Sequence, residues 1–449
     1  MNRKRTNIGG IWENGKEKCT QSMSELLEKV LNRYNMNNAL KRVCENKGAG
    51  GVDGMAVEEL DGYIRNNWIK IREDIRKRKY IPQPVRRVQI PKPDGSKRNL
   101  GIPTVMDRVI QQAISQVLMP MCEPLFSEHS YGFRPNRSCE MAIEEFLEFL
   151  NEGYEWIVDI DLEKFFDNVH QDKLMSLVHN IVNDGDTESL IRRYLKAGVM
   201  VQGRYEKTIK GTPQGGNLSP LLSNIMLNEL DKELERRGLR FVRYADDCII
   251  AVKSEVSAKR VMYSITNWIE RKLYLQVNAT KTKITKPDEL KYLGFGFYQE
   301  KETGTWKCKP HKDSVAQFKR KLRSLTFWSK NIPFDIRIQR LNWVIRGWIN
   351  YYLIGSMKSA MKDIDAHLRT RLRVVIWKQW KVPSKRILGL RRLGVELGQA
   401  RYLAYKGRRY QWVAHCACIK QGLSKQRFTN AGLVSCLDYY NERRALRFC

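Results

Sequence analysis

Two adjacent aspartates, Asp246 and Asp247, stand between two short apolar runs, residues 241–244 and 248–252. Both runs are rich in β-branched and aromatic residues, which favours buried strands. So short a connection predicts a tight antiparallel hairpin with both aspartates in the turn. The fold must therefore accommodate two carboxylates at one end of a hydrophobic sheet, where each loses hydration and repels the other.

A third aspartate, Asp161, has a similar position, because it directly follows the apolar run 156–160. Carboxylates at strand ends are tolerated when cations lie between them. Two divalent ions about 3.5–4 Å apart can clamp the attacking and leaving oxygens of a phosphoryl transfer. The alternative is an ordinary acidic turn facing solvent. The four residues 244–247, taken alone, do not decide between these interpretations.

The surrounding pattern predicts an α+β fold. Strands are expected at 85–91 and 97–102, with a turn at Pro93-Asp94-Gly95 between them, and a helix at 107–118. Near the start, Ser22 and Glu25 have capping-box spacing and predict the beginning of a helix. After about residue 310 the chain is expected to be helical. An apolar stripe at three- and four-residue intervals supports that prediction: Leu341, Val344, Ile345, Trp348, Ile349 and Tyr352.

The charge is high and unevenly distributed. The 449 residues include 80 Lys and Arg against 49 Asp and Glu, a formal net charge of +31. Residues 301–449 carry 33 basic and 8 acidic side chains, whereas residues 1–300 carry 47 and 41. A nearly neutral body joined to a strongly basic region predicts binding to a polyanion, above all nucleic acid. A uniformly solvated basic surface would not concentrate in the last third.

Membrane, secretory and zinc-binding classes are disfavoured. The apolar stretch around 341–354 is interrupted by Arg346, and the basic residues at 3–5 lead into polar sequence rather than a signal core. The ten cysteines are scattered. His415, Cys416 and Cys418 lack the fourth ligand that a structural zinc site needs, so small buried cysteines are the favoured interpretation. We expect a cytoplasmic protein without a membrane partner.

Six sequence blocks, in one order, resemble reverse transcriptases, the RNA-directed DNA polymerases. Tyr244-Ala245-Asp246-Asp247 resembles their YxDD signature. The other blocks are, in chain order, 90–95 with 97–104, Ser130 to Pro135 with Arg137-Ser138, Asp161 to Asp167, Gly211 to Gly216 with 218–222, and 278–282 with Tyr292-Leu293-Gly294. The resemblance implies a right-hand polymerase: fingers and palm with an antiparallel palm sheet and helices, an α-helical thumb, and a small basic C-terminal DNA-binding module.

Further blocks resemble the reverse transcriptases encoded by group II introns, which also act as maturases. Residues 46–54 are similar to their N-terminal extension, and 346–352 with 372–380 to their thumb. The resemblance implies an N-terminal extension at 1–60, fingers and palm at 61–305, thumb or maturase domain at 306–384, and a basic DNA-binding region at 385–449. One departure is Asn217, where many relatives have an apolar residue.

The resemblance also implies the roles of site residues. Asp161 and Asp246 would ligate two Mg²⁺ ions, for which Mn²⁺ could substitute, with Asp247 supporting them. Lys92 and Arg98 would hold the incoming triphosphate.

Three further roles follow in the same way. Phe166 would stack under the sugar and exclude a 2′-hydroxyl, and Gln214 would contact the incoming deoxynucleoside triphosphate near its 3′ side. Lys281 is a candidate proton donor to the pyrophosphate leaving group. Phe165 is expected in the core and Asp159 as a supporting carboxylate.

The expected partners are the parent intron RNA, an RNA template with its DNA primer, and target DNA. The resemblance is nearest to compact bacterial group IIC proteins, so we expect a cytoplasmic ribonucleoprotein without a nuclease module. His415 is the only histidine after the thumb, which is too few for a nuclease of the usual kind. Two alternatives remain open: a freestanding enzyme recruited to DNA repair or phage defence, and a splicing-only RNA-binding maturase.

Overall fold

The computed structural model describes residues 24–91, 95, 97–330, 332–406 and 409–448. The chain forms two compact units, Met1–Thr285 and Lys286–Cys449. Helices and strands alternate in the first unit, and helices dominate the second. The predicted α+β class is therefore confirmed. In the described residues, no helix has both the length and the apolar character needed to span a bilayer.

The first unit contains ten α-helices within its described residues, several of them with a side-chain cap at the N-terminus. For example, Asp184 accepts a hydrogen bond from the Thr187 amide (2.9 Å) at the start of its helix. The helices are α1 Glu25–Leu31, α2 Arg33–Asn46, α3 Leu60–Arg76, α4 Val105–Cys122, α5 Cys139–Asn151, α6 Phe165–Asn168, α7 Gln171–Val182, α8 Gly185–Lys196, α9 Ser219–Arg236 and α10 Glu255–Trp268.

The strands of the first unit form two four-stranded sheets. The strands are β1 Val85–Pro91, β2 Lys97–Ile102, β3 Trp156–Ile160, β4 Val199–Val201, β5 Arg204–Glu206, β6 Arg240–Tyr244, β7 Asp247–Val252 and β8 Lys283–Thr285. One sheet has the order β2-β1-β4-β5. The other has the order β6-β7-β3-β8, with each neighbouring pair antiparallel. We refer to this second sheet as the central sheet.

The central sheet is hydrophobic on both faces, since Ile157, Val158 and Ile250 are all fully buried. Helix α10 packs against β3, β7 and β8, and α5 packs against β6. Alternation of polar and apolar residues is absent from β7, whose last five residues are all buried. This pattern is typical of a strand covered by helices on both sides.

The second unit begins with a β-hairpin and continues as helices. The hairpin pairs β9 Phe295–Gln299 with β10 Trp306–Pro310. The helices are α11 Lys312–Leu325, α12 Phe334–Tyr351, α13 Lys358–Gln379, α14 Pro383–Arg392, α15 Leu397–Ala404, α16 Tyr410–His415, α17 Ala417–Gly422, α18 Lys425–Asn430 and α19 Cys436–Phe448. The predicted stripe on α12 is confirmed, because Leu341, Ile345 and Ile349 are fully buried.

Helix α19 packs on α12 and α13, so the C-terminal region belongs to the same compact unit as the residues before it. The domain borders expected at 60, 305 and 384 stay predictions. Ser22 lies outside the described residues, and α1 is capped by Ser24, whose hydroxyl accepts from the Leu27 amide at 3.1 Å. The hairpin β9–β10 was not predicted.

Candidate active site

The register of the central sheet brings three aspartates to one edge. In the pairing of β3 with β7, Ile160 lies opposite Cys248. Asp161, the residue directly after β3, therefore emerges beside Asp247, the first residue of β7. Asp246 lies in the turn that joins β6 to β7. Carboxylates that are 85 positions apart in the sequence thus share one end of the sheet.

The turn itself is tighter than the sequence suggested. Tyr244 pairs with Asp247, so the loop consists of Ala245 and Asp246 alone, and Asp247 is a strand residue. Ala245 has a φ of 59°, which is unusual for a residue with a side chain and costs about 1–2 kcal/mol. Gly132 lies against this turn, where a Cβ atom would come within 2.2 Å of the Ala245 nitrogen. Only glycine fits there.

A buried arginine supports the turn from below. The guanidinium of Arg243 donates to both carboxylate oxygens of Asp231, at 2.7 and 2.5 Å, and neither side chain reaches solvent. It also donates to the Ala245 carbonyl at 2.9 Å and to Asn224 at 3.1 Å. Asn224 in turn donates to the Gly132 carbonyl at 2.8 Å. This Arg243 network ties α9, the turn and the Gly132 segment together.

The segment at 276–282 holds the main chain at Asp161. The Asn278 amide donates to the Asp161 carbonyl at 2.8 Å. The Asp161 amide donates to the Thr282 hydroxyl at 3.2 Å. The ammonium of Lys281 lies 3.5 Å from a carboxylate oxygen of Asp161, and both side chains are partly exposed. The structure therefore places Lys281 beside the aspartate edge.

The carboxylates at this edge affect one another electrostatically. Desolvation by the packed sheet, followed by the charges of Asp246, Asp159 and Asp161, raises the pKa of Asp247 to about 6. Burial also raises the pKa of Asp246, with Asp161 adding to the effect and Arg98 opposing it. Desolvation and Asp161 raise the pKa of Asp159 to about 6, against Lys283. The edge carries more negative charge than nearby cations balance.

One loop, residues 211–216, links the elements that carry the predicted nucleotide-binding residues Phe166 and Arg98. The Thr212 amide donates to the Phe166 carbonyl at 2.7 Å, and the Gly101 amide to the Gln214 carbonyl at 2.6 Å. The loop at 211–216 is therefore bonded both to α6 and to β2, the strand that carries Arg98. Arg98 is exposed but lies within electrostatic reach of Asp246 and Asp247. Lys92 lies outside the described residues.

The chemistry of the edge fits a hard divalent cation. Among the described residues, no three side chains of His, Cys, Asp or Glu already converge closely enough to hold a metal ion by themselves. Mg²⁺ does not need such a cage, because it is bound through one or two carboxylates together with substrate phosphates. Mutually repelling carboxylate oxygens at an open edge meet that requirement.

Sequence reasoning missed the supporting residues Asp231, Asn224 and Gly132. The available signal was weak: an arginine directly before the Tyr244 to Asp247 motif, next to the apolar Phe241 and Val242, must have a buried partner. The sequence does not say which acidic residue provides it, because Asp231 lies on the preceding helix, α9.

Comparisons with known proteins identify two regions. Residues 90–297 match the family profile described as reverse transcriptase (RNA-dependent DNA polymerase). Residues 315–394 match the profile of the group II intron maturase-specific domain. A solved structure titled "Partial Cas6-RT-Cas1--Cas2 complex" is 22% identical, with a TM-score of 0.35, over 55% of this chain and 42% of that one. A match with so low a TM-score supports no conclusion about the fold or function of this chain.

Two curated relatives are closer in sequence. The group II intron-encoded protein LtrA of Lactococcus lactis subsp. cremoris is 31% identical over 64% of this chain and 58% of its own length. Protein YkfC of Escherichia coli (strain K12) is 33% identical over 55% of this chain and 75% of its own length. The chain thus spans little more than half of LtrA. Together with the two profiles, these relatives show that the chain belongs to the group II intron reverse transcriptase/maturase family.

Proposed function

We propose that this chain is an RNA-directed DNA polymerase that extends a DNA primer on an RNA template. The observation that carries the proposal is the meeting of Asp161, Asp246 and Asp247 at one edge of the central sheet. The match to the reverse transcriptase family over residues 90–297 supports the same conclusion. The fully buried Arg243 network holds this turn in a fixed position, as a site for metal ions requires.

Asp161 and Asp246 would hold two Mg²⁺ ions, with Asp247 contributing charge beside them. Bound there, the ions would lower the pKa of the primer hydroxyl and neutralise charge on the triphosphate. The protein's part is to fix the carboxylates. The segment at 276–282 holds Asp161, and Arg243 holds the turn that carries Asp246. Strain at Ala245 persists because these contacts hold the turn in place.

Five other side chains would bind the incoming nucleotide or donate a proton to the leaving group. Arg98 and Lys92 would contact the triphosphate. The positive charge of Arg98 already acts on the carboxylate edge, because it opposes the rise in the pKa of Asp246. Gln214 would contact the nucleotide near its 3′ side. Phe166 would lie under the sugar as a steric gate. Lys281 would donate a proton to the leaving pyrophosphate from its place beside Asp161.

In this proposal residues 61–305 form fingers and palm, with the central sheet as the palm floor, and 306–384 form the thumb. Residues 1–60 would be the N-terminal extension and 385–449 a DNA-binding region. These borders follow the family pattern. The structural units divide at 285/286 instead, before the β9–β10 hairpin.

A second function, binding the parent intron RNA and assisting its splicing, is favoured by two observations. Residues 315–394 match the maturase-specific domain. Residues 301–449 also carry a net charge of +25, which suits a ligand with many phosphates. We propose that the protein acts as polymerase and maturase in a cytoplasmic ribonucleoprotein that copies intron RNA into target DNA. A freestanding repair or defence role is the alternative, and an intron surrounding the gene would exclude it.

The Asp246→Asn variant tests the polymerase assignment. A neutral amide cannot replace an anionic metal ligand, so we expect primer extension on RNA to be abolished in Mg²⁺. The melting temperature should be unchanged or higher, because burial already disfavours the charge of Asp246. The matched control is Asp172→Asn, which removes an exposed carboxylate from the surface of α7 and should leave extension intact. Extension at the wild-type rate by Asp246→Asn would contradict the two-metal assignment.

A further inference from the structure

Three aromatic side chains of the second unit form an aligned surface group, which we call the aromatic platform: Phe327, Trp328 and Tyr410. The ring centroids of Phe327 and Trp328 are 5.8 Å apart with an interplanar angle of 24°. Those of Trp328 and Tyr410 are 6.2 Å apart at 22°. Neighbouring rings are thus close to parallel, although Tyr410 comes from a helix more than 80 positions away.

The platform is exposed in a way that the core aromatics are not. Phe327 is 44% and Trp328 42% exposed. By contrast, the stacked pair Phe318 and Trp348 has centroids 4.4 Å apart, and Phe318 is only 2% exposed. Close packing of that pair contributes to the core. The wider spacing of the platform and the exposure of Phe327 and Trp328 leave part of these rings in contact with solvent, where a planar ligand can reach them.

Two arginines hold the loop that presents Phe327 and Trp328. Arg337, almost fully buried, donates to the carbonyls of Leu325, Phe327 and Lys330. Arg371 donates to the Thr326 hydroxyl at 2.7 Å and to nearby main-chain carbonyls. A loop fixed by this many main-chain contacts presents its aromatic side chains without the cost of ordering the main chain on binding.

A cation lies directly on the platform. The ammonium of Lys378 is 4.5 Å from the Trp328 ring centroid, 5.0 Å from that of Tyr410 and 3.0 Å from the Tyr410 hydroxyl. No carboxylate of the described residues forms an ion pair with it. The platform therefore combines parallel π faces with an unneutralised positive charge, in the most basic part of the chain.

We propose that the aromatic platform binds unpaired RNA bases by stacking, with Lys378 contacting the adjacent phosphate. Stacking on aromatic rings next to cations is how proteins hold single strands without reading base sequence. A protein partner would not be favoured by the unpaired cation, and a duplex would not expose its base faces. The inference rests on the proposed function, because it takes RNA as the ligand; the match to the maturase domain, which spans Phe327, Trp328 and Lys378, favours RNA over DNA.

The test measures binding of a fluorescein-labelled oligouridylate of about 12 nucleotides by anisotropy at fixed salt. Saturating blunt RNA–DNA duplex is present to occupy the polymerase cleft. Trp328→Ala and Tyr410→Ala should each weaken binding about tenfold. Trp328→Leu, which keeps the apolar bulk without the π face, should weaken binding like alanine, whereas Trp328→Phe should retain most of the affinity. The matched control is Trp343→Ala, an exposed tryptophan (63%) on α12 outside the platform, which should bind normally.

A second measurement identifies the contact directly. Photocrosslinking with 5-iodouridine RNA, followed by mass spectrometry, should place the attached nucleotide on Trp328 or Tyr410. Wild-type affinity in a folded Trp328→Ala variant, full binding by Trp328→Leu, or weakened binding of single-stranded DNA alone would overturn the proposal. Failure of the wild-type protein to bind the blunt duplex, with single-strand binding still dependent on Trp328, would count against the polymerase function and leave the platform standing.

Discussion

Phe165 and Phe166 are neighbours with different environments. Phe165 is 2% exposed and belongs to the core, as predicted. Phe166 is half-buried, and its ring packs edge-to-face against that of Phe165, with 5.2 Å between the ring centroids. The main-chain carbonyl of Phe166 accepts the bond that fixes the loop at Thr212. The side chain can therefore be changed without removing the contact that positions the loop.

Because only the main chain of Phe166 positions the loop, changing its side chain tests how the enzyme discriminates between deoxyribonucleotides and ribonucleotides. Phe166→Ala should admit ribonucleotides much more readily, because the ring that would meet a 2′-hydroxyl is absent. It should also weaken deoxynucleotide binding, since a stacking surface is lost. The measurement is the ratio of kcat/KM for deoxy- and ribonucleotides, with exposed Tyr263→Ala on α10 as the control. An unchanged ratio would show that a residue other than Phe166 excludes the 2′-hydroxyl.

At the scale of elements, the β6–β7 hairpin depends on α9 through the Arg243 network. Removing one partner of a buried ion pair costs about 3–5 kcal/mol, because the other charge is left uncompensated. We therefore expect Arg243→Met to be strongly destabilised. Adding Asp231→Leu should restore most of the free energy of unfolding, because two apolar side chains then replace the pair.

Primer extension should not recover in that double variant. The Ala245 carbonyl and Asn224 would still lack the guanidinium that holds them, so the turn bearing Asp246 would lose its position. Urea unfolding and primer extension, measured on the same preparations, distinguish the two effects. If extension returned together with stability, Arg243 would have a structural role only.

The contact between His129 and Glu145 makes a pH-dependent contribution to the stability of the first unit. His129 donates from Nδ1 to Glu145 on α5 at 2.5 Å, and this bond raises the pKa of His129 despite burial. The protonated form is favoured in the folded state. Its stabilisation is therefore complete below the ordinary pKa of 6.5 and is lost as the pH rises through the raised pKa.

The His129→Gln variant should remove this dependence. Its melting temperature should fall furthest below that of the wild type at about pH 5.5, where loss of a charge-assisted hydrogen bond costs about 1.5–3 kcal/mol. The difference should shrink as the pH is raised toward about 8.5, because the wild-type histidine progressively loses its proton. Melting curves across this range provide the test, and a constant difference would exclude the His129–Glu145 pair as its cause.

At the scale of the whole molecule, the candidate catalytic aspartates and the excess of positive charge lie in different stretches of the sequence. The aspartate edge belongs to residues 1–285, whereas the excess of positive charge belongs to residues 301–449. We therefore expect Asp246→Asn to retain binding of intron RNA and promotion of its splicing. Affinity for RNA should fall steeply with salt in both proteins, as expected when many phosphates are neutralised.

Filter binding at several salt concentrations, with a splicing assay, checks this prediction. Asp246→Asn and the wild type should give the same dependence of log affinity on log salt. Equal loss of splicing and synthesis in a folded Asp246→Asn protein would show that the two functions are not separable.

The sequence by itself determined the local elements and the family. Strands β1, β2 and β3 have the predicted bounds, because short strand-like segments next to turn signals depend little on distant contacts. The α12 stripe was predicted for the same reason. The β9–β10 hairpin was missed, because apolar and basic residues alternate along β10 and form no continuous apolar run. Its stability comes from pairing across the hairpin.

Tertiary structure alone decided what supports the site. Motif spacing indicated Asp161 and Asp246, but only the order β6-β7-β3-β8 brings them to one edge. Only the packing of α9 shows that Asp231 neutralises Arg243, and only the loop held by Arg337 and Arg371 aligns the aromatic platform. The physical reason is common to all three. A buried charge or an aligned ring group is stable only when partners distant in the sequence meet, and local sequence does not encode that meeting.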